Sequence, residues 1–203
     1  MIKKILFLIC TGLFISVAQA SLIITEFLAD PNSTADAGFE YFEVFNNGST
    51  AINVGELTIG DNDADSVSFS GSTLTIGVGE FFVFGENLVD ADLNWNDFGS
   101  FTLANGADEI VISDTSGELA RLDYTDGDAA GDGVANVLNN ISNATATGVT
   151  FEADYIGEVV MNDTLSTGDI GSPGSAGSTV IPEPSSALLV GLSVILLFGM
   201  RRK

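Results

Sequence analysis

Histidine is absent from this 203-residue chain, and cysteine occurs once, at Cys10. The first absence removes the commonest general base and the commonest metal ligand. The second rules out an internal disulfide. Basic residues are nearly as scarce: there are 6, against 28 acidic residues, for a net charge of −22 at pH 7. Five of the six (Lys3, Lys4, Arg201, Arg202 and Lys203) lie at the two ends, leaving Arg121 alone between them. A body this anionic is repelled by nucleic acid and by anionic lipid headgroups, so no nucleic-acid partner is expected. It attracts cations, and its charge serves solubility outside the cell. No amphipathic helical period precedes Ser178.

What is present first is a pair of membrane-directed ends. Lys3 and Lys4 form a positive start, Ile5 to Val17 is mostly apolar, and Ala18-Gln19-Ala20 supplies small residues before Ser21. That order predicts a secretory signal over 1–20, cut by signal peptidase between Ala20 and Ser21. Ile9 is not the small residue that lipid modification of Cys10 needs, so Cys10 leaves with the signal. The other end reads Pro182-Glu183-Pro184, then an apolar run from Ala187 to Met200, then Arg201-Arg202-Lys203. The prolines disfavour helix at Ile181 and Glu183, which predicts an extended stretch that a protease cleft can accept. Ser185 and Ser186 offer N-caps for one membrane helix beyond it. Residues 185–200 give roughly 24 Å of helix against a hydrocarbon core of about 30 Å, short enough to need thinning or snorkelling. The terminal bases belong on the cytoplasmic side.

Between the ends the chain is a series of short runs rich in Val, Ile, Phe and Thr: 22–29, 39–46, 51–60, 66–71, 73–78, 80–86, 100–105, 108–114 and 118–124. Each is bounded by Gly, Asn, Asp or Ser, the pattern of an all-β sandwich or barrel. Asn47-Gly48, Asn105-Gly106 and Ser116-Gly117 supply left-handed turn positions. From 126 to 150 large apolar residues thin out, predicting a long surface loop before strands return in 150–160. The Gly/Ser/Thr-rich stretch 166–179 reads as a flexible tether. The expected organisation is a signal over 1–20, a sandwich over 21–165, a linker over 166–179 and a sorting segment over 180–203.

Two segments carry family resemblances. Glu40-Tyr41-Phe42-Glu43-Val44-Phe45-Asn46, the turn Asn47-Gly48-Ser49, Ile52-Asn53-Val54 and Leu57-Thr58-Ile59-Gly60-Asp61 resemble the lamin-tail domain, as do the later strands and Ser172-Pro173-Gly174. The resemblance implies an immunoglobulin-like β-sandwich. It departs at Glu56-Leu57, where the family often has Gly-Trp, and it does not account for 126–150. The end of the chain (Pro182, Glu183, Pro184, the apolar run, Arg201, Arg202 and Lys203) resembles the PEP-CTERM sorting signal. It implies handling by an exosortase, transient anchoring in the inner membrane, and delivery to the surface of a cell whose envelope has an outer membrane, often with exopolysaccharide.

Catalysis has few routes left. A carboxylate pair or a metal-activated water remains, but among so many acids a workable spacing carries no information. Calcium has more to stand on. Asp61, Asp63 and Asp65 alternate as in the first half of an EF-type loop, but Ser66 replaces the glycine and Ser72 the glutamate. Asp126, Asp128 and Asp132 surround a correctly placed Gly131, but Ala130 and Val137 break the ligand pattern. Either turn could bind Ca²⁺ weakly or be a solvated loop; no other cofactor is expected. The sum is an exported, non-enzymatic surface or matrix protein, with polysaccharide a candidate partner. The alternative is a permanently membrane-anchored envelope protein carrying the same sandwich.

Overall fold

Aromatic and β-branched residues at alternate positions form strands because one side of each run can be buried while its backbone pairs laterally. The computed structural model describes residues 22–31, 38–61, 65–127, 129–138, 155–157 and 169–174, whose regular structure is β-strand apart from two 3-10 turns. The strands are β1 (Leu22–Leu28), β2 (Tyr41–Asn46), β3 (Ile52–Asn53), β4 (Thr58–Gly60), β5 (Ser66–Ser68), β6 (Thr75–Ile76), β7 (Phe81–Gly85), β8 (Leu93–Asn94), β9 (Asp108–Asp114), β10 (Gly117–Tyr124), β11 (Asn136–Leu138) and β12 (Tyr155–Gly157). They make a six-stranded sheet of order β12-β11-β1-β2-β7-β8, a four-stranded sheet of order β10-β9-β4-β5, and the pair β3-β6. All ladders are antiparallel except β7 with β8. The topology is consistent with an immunoglobulin-like sandwich.

One apolar cluster joins the two larger sheets. Phe27, Phe42, Val44 and Phe84 enter it from the six-stranded sheet, and Ile59, Ile110, Ile112 and Leu122 from the four-stranded one. Phe42 stacks on Phe84 at 5.0 Å and on Trp95 at 5.9 Å between centroids, and Phe101 meets Trp95 edge-on at 5.5 Å. Trp95 is fully buried, so the lone Trp is a packing anchor. A smaller cluster of Leu28, Tyr41, Val83, Leu88 and Ala135 lies apart from the first. In β2, successive side chains alternate between faces: Phe42 and Val44 point into the main core, so Tyr41 and Glu43 share the opposite face.

Several sequence expectations change. The run 51–60 is two strands separated by a single 3-10 turn, Val54–Glu56, because the Asn53 side chain caps the Gly55 N–H at 3.0 Å and bends the chain. The run 100–105 forms no strand: Phe101 and Leu103 are buried pegs, and the Leu103 N–H is taken by the Glu40 carboxylate at 2.7 Å instead of a ladder. The segment expected as a long loop contains β11, which pairs with β1. Of the three expected left-handed turns only Gly117 has a positive φ, at 128°; Gly48 and Gly106 do not. The tether is also shorter than expected. Asp169 and Ser172 are each 2 % exposed, because this stretch docks on the six-stranded sheet.

Candidate functional site

The chemistry of the described residues concentrates on the outer face of β1 and β2. Glu26 and Glu43 are direct cross-strand partners, in a row that runs Val137, Glu26, Glu43, Val83 across four strands. The register of β1 shifts between Ile24 and Glu26, and that irregularity lets Glu26 share a face with Glu43. Both glutamates are 1 % exposed. A buried carboxylate is tolerated only when donors replace its lost water.

The donors come from two sources. The sheet gives two hydroxyls: Thr25 Oγ1 donates to Glu43 Oε1 at 2.6 Å, and Tyr41 Oη donates to Glu26 Oε1. The rest come from a strap, residues 169–174, far along the chain. Ser172 donates its N–H to Glu26 Oε1 at 2.7 Å and its hydroxyl to Glu26 Oε2, and the Gly174 N–H donates to Glu43 Oε2 at 2.6 Å. Hydrogen bonds to an ionised acceptor are among the stronger ones in proteins. The strap is also stitched to the sheet upstream. The Ile170 N–H donates to Gly133 O at 2.7 Å, and the Ala135 N–H to Ile170 O at 2.9 Å.

Two glycines make this docking fit. A β-carbon on Gly171 would lie 2.1 Å from Tyr41 Oη and 2.8 Å from Glu26 Oε1, so only hydrogen leaves room for the cluster. Gly174 has φ +82°, a turn that a side chain would strain. Every carboxylate oxygen of the pair receives at least one donor, so the arrangement holds the strap against the sheet.

The residues singled out from sequence fall elsewhere. Asp61 and Asp65 close the turn between β4 and β5. The Asp61 N–H reaches Asp65 O at 3.1 Å, and the Asp65 N–H reaches Asp61 Oδ1 at 3.2 Å. Asp63 lies outside the described residues. Asp126 and Asp132 are exposed, and Asp128 lies outside the described residues. The turn holding them is sewn to its neighbours: the Gly127 N–H donates to Asn105 O at 2.8 Å, and Asn136 Nδ2 donates to Gly127 O at 3.0 Å. Among the described residues no three His, Cys, Asp or Glu side chains are grouped to hold a metal ion. The expected cleavage residues Ala18, Ala20 and Ser21, and the sorting residues Pro182, Glu183, Pro184, Arg201, Arg202 and Lys203, also lie outside the described residues.

Sequence reasoning did not find the glutamate pair. Its signal was two acids inside otherwise apolar strands, together with a distant Ser172-Pro173-Gly174 rich in small donors. Comparison with known proteins finds that the family described as Lamin Tail Domain matches residues 16–126. No curated protein matches the chain.

Proposed function

This chain belongs to the lamin tail domain family, whose modules are structural and non-catalytic, and we propose that it is an exported cell-surface or extracellular-matrix protein sorted by an exosortase. The observation that carries the reading is the order of parts at the end of the sequence: Pro182-Glu183-Pro184, the apolar run to Met200, and three terminal bases. On this reading 1–20 is the export signal, 180–203 is a temporary membrane stop and sorting label, and the sandwich between them is the delivered product.

Two structural features support it. The sandwich is closed by its own strap, with the last described contact at Gly174. From there to Pro182 the chain spans at most about 28 Å when fully extended, so before processing the folded module would stand close to the membrane. The body also carries one base, Arg121, already engaged by Asp123 at 2.8 Å and Glu118 at 3.6 Å. Such a surface suits a hydrated, cation-rich matrix and contacts with polysaccharide bridged by cations. Weak Ca²⁺ binding by Asp61, Asp63 and Asp65, or by Asp126, Asp128 and Asp132, is a separate part of the proposal. Calorimetry with Ca²⁺ on the parent and on Asp61→Asn/Asp63→Asn decides it for the first turn, and no heat in the parent removes both turns.

The experiment that tests the sorting reading is the intact mass of the protein recovered from cells and from medium. Loss of both 1–20 and the segment from about Pro182 onward supports it. A membrane-bound species still ending at Lys203 replaces it with the permanently anchored protein.

A further inference from the structure

The sequence holds two Asn-Gly steps, and the fold treats them differently. Asn47-Gly48 lies between β2 and β3, with Asn47 exposed. Asn105-Gly106 lies before β9, with Asn105 half-buried. In the second step the side-chain amide is held: Asn105 Nδ2 donates to Asp30 Oδ1 at 2.8 Å, and Asn105 O accepts the Gly127 N–H at 2.8 Å. Both the leaving nitrogen and the backbone are therefore fixed. In the first step the restraint falls on the glycine alone. The Gly48 N–H donates to Asn46 Oδ1 at 2.9 Å, and Asn46 is itself pinned by Nδ2 bonds to Thr50 O at 2.9 Å and Ile76 O at 3.0 Å.

We propose that Asn47 is a site of spontaneous backbone modification through a cyclic imide, that Asn46 sets its rate by holding the Gly48 nitrogen, and that the fold protects Asn105. The Gly48 nitrogen attacks Asn47 Cγ, forming the N–Cγ bond. The Cγ–Nδ2 bond breaks, and the nitrogen leaves as ammonia with the proton that Gly48 gave up. Solvent water then opens the ring. Cleavage of the N–Cγ bond leaves aspartate at 47, and cleavage at the main-chain carbonyl leaves isoaspartate. Glycine at the second position favours closure because no β-carbon crowds the nucleophile. Either product adds a carboxylate to an already anionic chain. Isoaspartate also lengthens the backbone beside the Asn46 anchor, loosening the turn that carries β2 into β3. A protein delivered outside the cell would carry this change as a record of its age.

The test is peptide mapping of the full chain after incubation in mildly alkaline buffer, folded and in urea. Two readouts apply: the mass gain that replaces an amide by an acid, and labelling by an isoaspartate-specific methyltransferase. In urea both steps should convert at similar rates. In the folded chain Asn47 should convert at least tenfold faster than Asn105. Gly48→Ala, at a position whose φ is not positive, should slow conversion at 47 at least tenfold. Asn46→Ala removes the acceptor that holds the Gly48 N–H, so it should speed conversion at 47, whereas Asn46→Asp keeps an acceptor and should not. Equal conversion of the two asparagines in the folded chain, or faster conversion at Asn105, overturns the proposal, as does an Asn46→Ala chain that folds and converts no faster.

Discussion

Glu26 on β1 and Glu43 on β2 sit side by side as cross-strand partners, both buried, with their oxygens shared between sheet hydroxyls and the N–H groups of a strap more than a hundred residues away. Two buried carboxyl groups directly opposite on a sheet are costly, and the pair persists because donors surround it. The sandwich is therefore completed by polar contacts on its outer face as well as by the apolar core, and both kinds of contact can be broken selectively.

Gly171→Ala should be the most damaging single methyl in the strap. The new carbon would fall 2.1 Å from Tyr41 Oη, so either the strap lifts or the Tyr41–Glu26 bond opens. The expected cost is about 2–4 kcal/mol, read as a lower urea midpoint. Gly106→Ala, where an added carbon meets nothing within 4 Å, is the control and should cost far less. Equal midpoints for the two would mean that the strap does not contribute to stability.

Glu43→Gln keeps the shape of the side chain but replaces one acceptor oxygen by an NH₂ group. If the new NH₂ faces Gly174, that N–H loses its acceptor; if it faces Thr25, the hydroxyl must accept from it and donate to the backbone carbonyl of residue 43, now 3.3 Å away. A loss of about 1 kcal/mol follows, because either arrangement weakens a buried hydrogen bond. Thr25→Val in the same background should cost less than it does alone, since the two changes remove one shared bond. Additive losses in that double-mutant cycle would place the effect elsewhere.

Tyr124 predicts a limit at high pH. Burial holds its phenol well above the ordinary 10.0, and the nearby Asp108 carboxylate raises it further by charge and by a hydrogen bond. The folded state thus keeps a proton that the unfolded state releases. This contribution is complete below pH 10.0 and is lost as pH rises above it. Tyr124→Phe, which also gives up the 2.9 Å bond to Ala104 O, should be less stable by about 1 kcal/mol near neutrality. Its stability should fall less steeply in base than that of the parent. Parallel denaturation curves from pH 9 to 11 would rule the effect out.

Much of the sandwich was legible because 39–46 and 108–124 are rich in aromatic and β-branched residues, because 118–124 alternates, and because Gly, Asn, Asp or Ser bounds each run. β11 was not, since Asn136-Val137-Leu138 is too short to show a period and sits in a stretch dominated by Gly, Asn and Asp. The strap is hard to read for a related reason: composition makes Gly-Ser-Pro-Gly look like a tether, and only Glu26 and Glu43, on two distant strands, make it a docked element. Asn53 shows the same limit locally. Nothing in its run announces that the side chain will cap Gly55 and break a strand in two.

The family match ends at residue 126, and the fold does not. Beyond that point lie β11, whose Asn136 and Val137 pair with Phe27 and Glu26, and the strap that supplies Ser172 and Gly174. A chain cut to 21–126 would leave one edge of β1 without its partner and two carboxylates short of their donors, each a cost on the scale of a marginal domain's whole stability. We expect 21–126 to give no cooperative unfolding transition, 21–165 to give a weakened one, and 21–178 to unfold in a single sharp step, all measured by urea titration with circular dichroism and tryptophan fluorescence. The chain of intermediate length matters most, because it keeps β11 and lacks only the strap. If 21–165 matched 21–178, the carboxylates would have found water in place of the strap, and the domain would end near 165. If even 21–126 unfolded as sharply as 21–178, both β11 and the strap would be additions to a module complete without them.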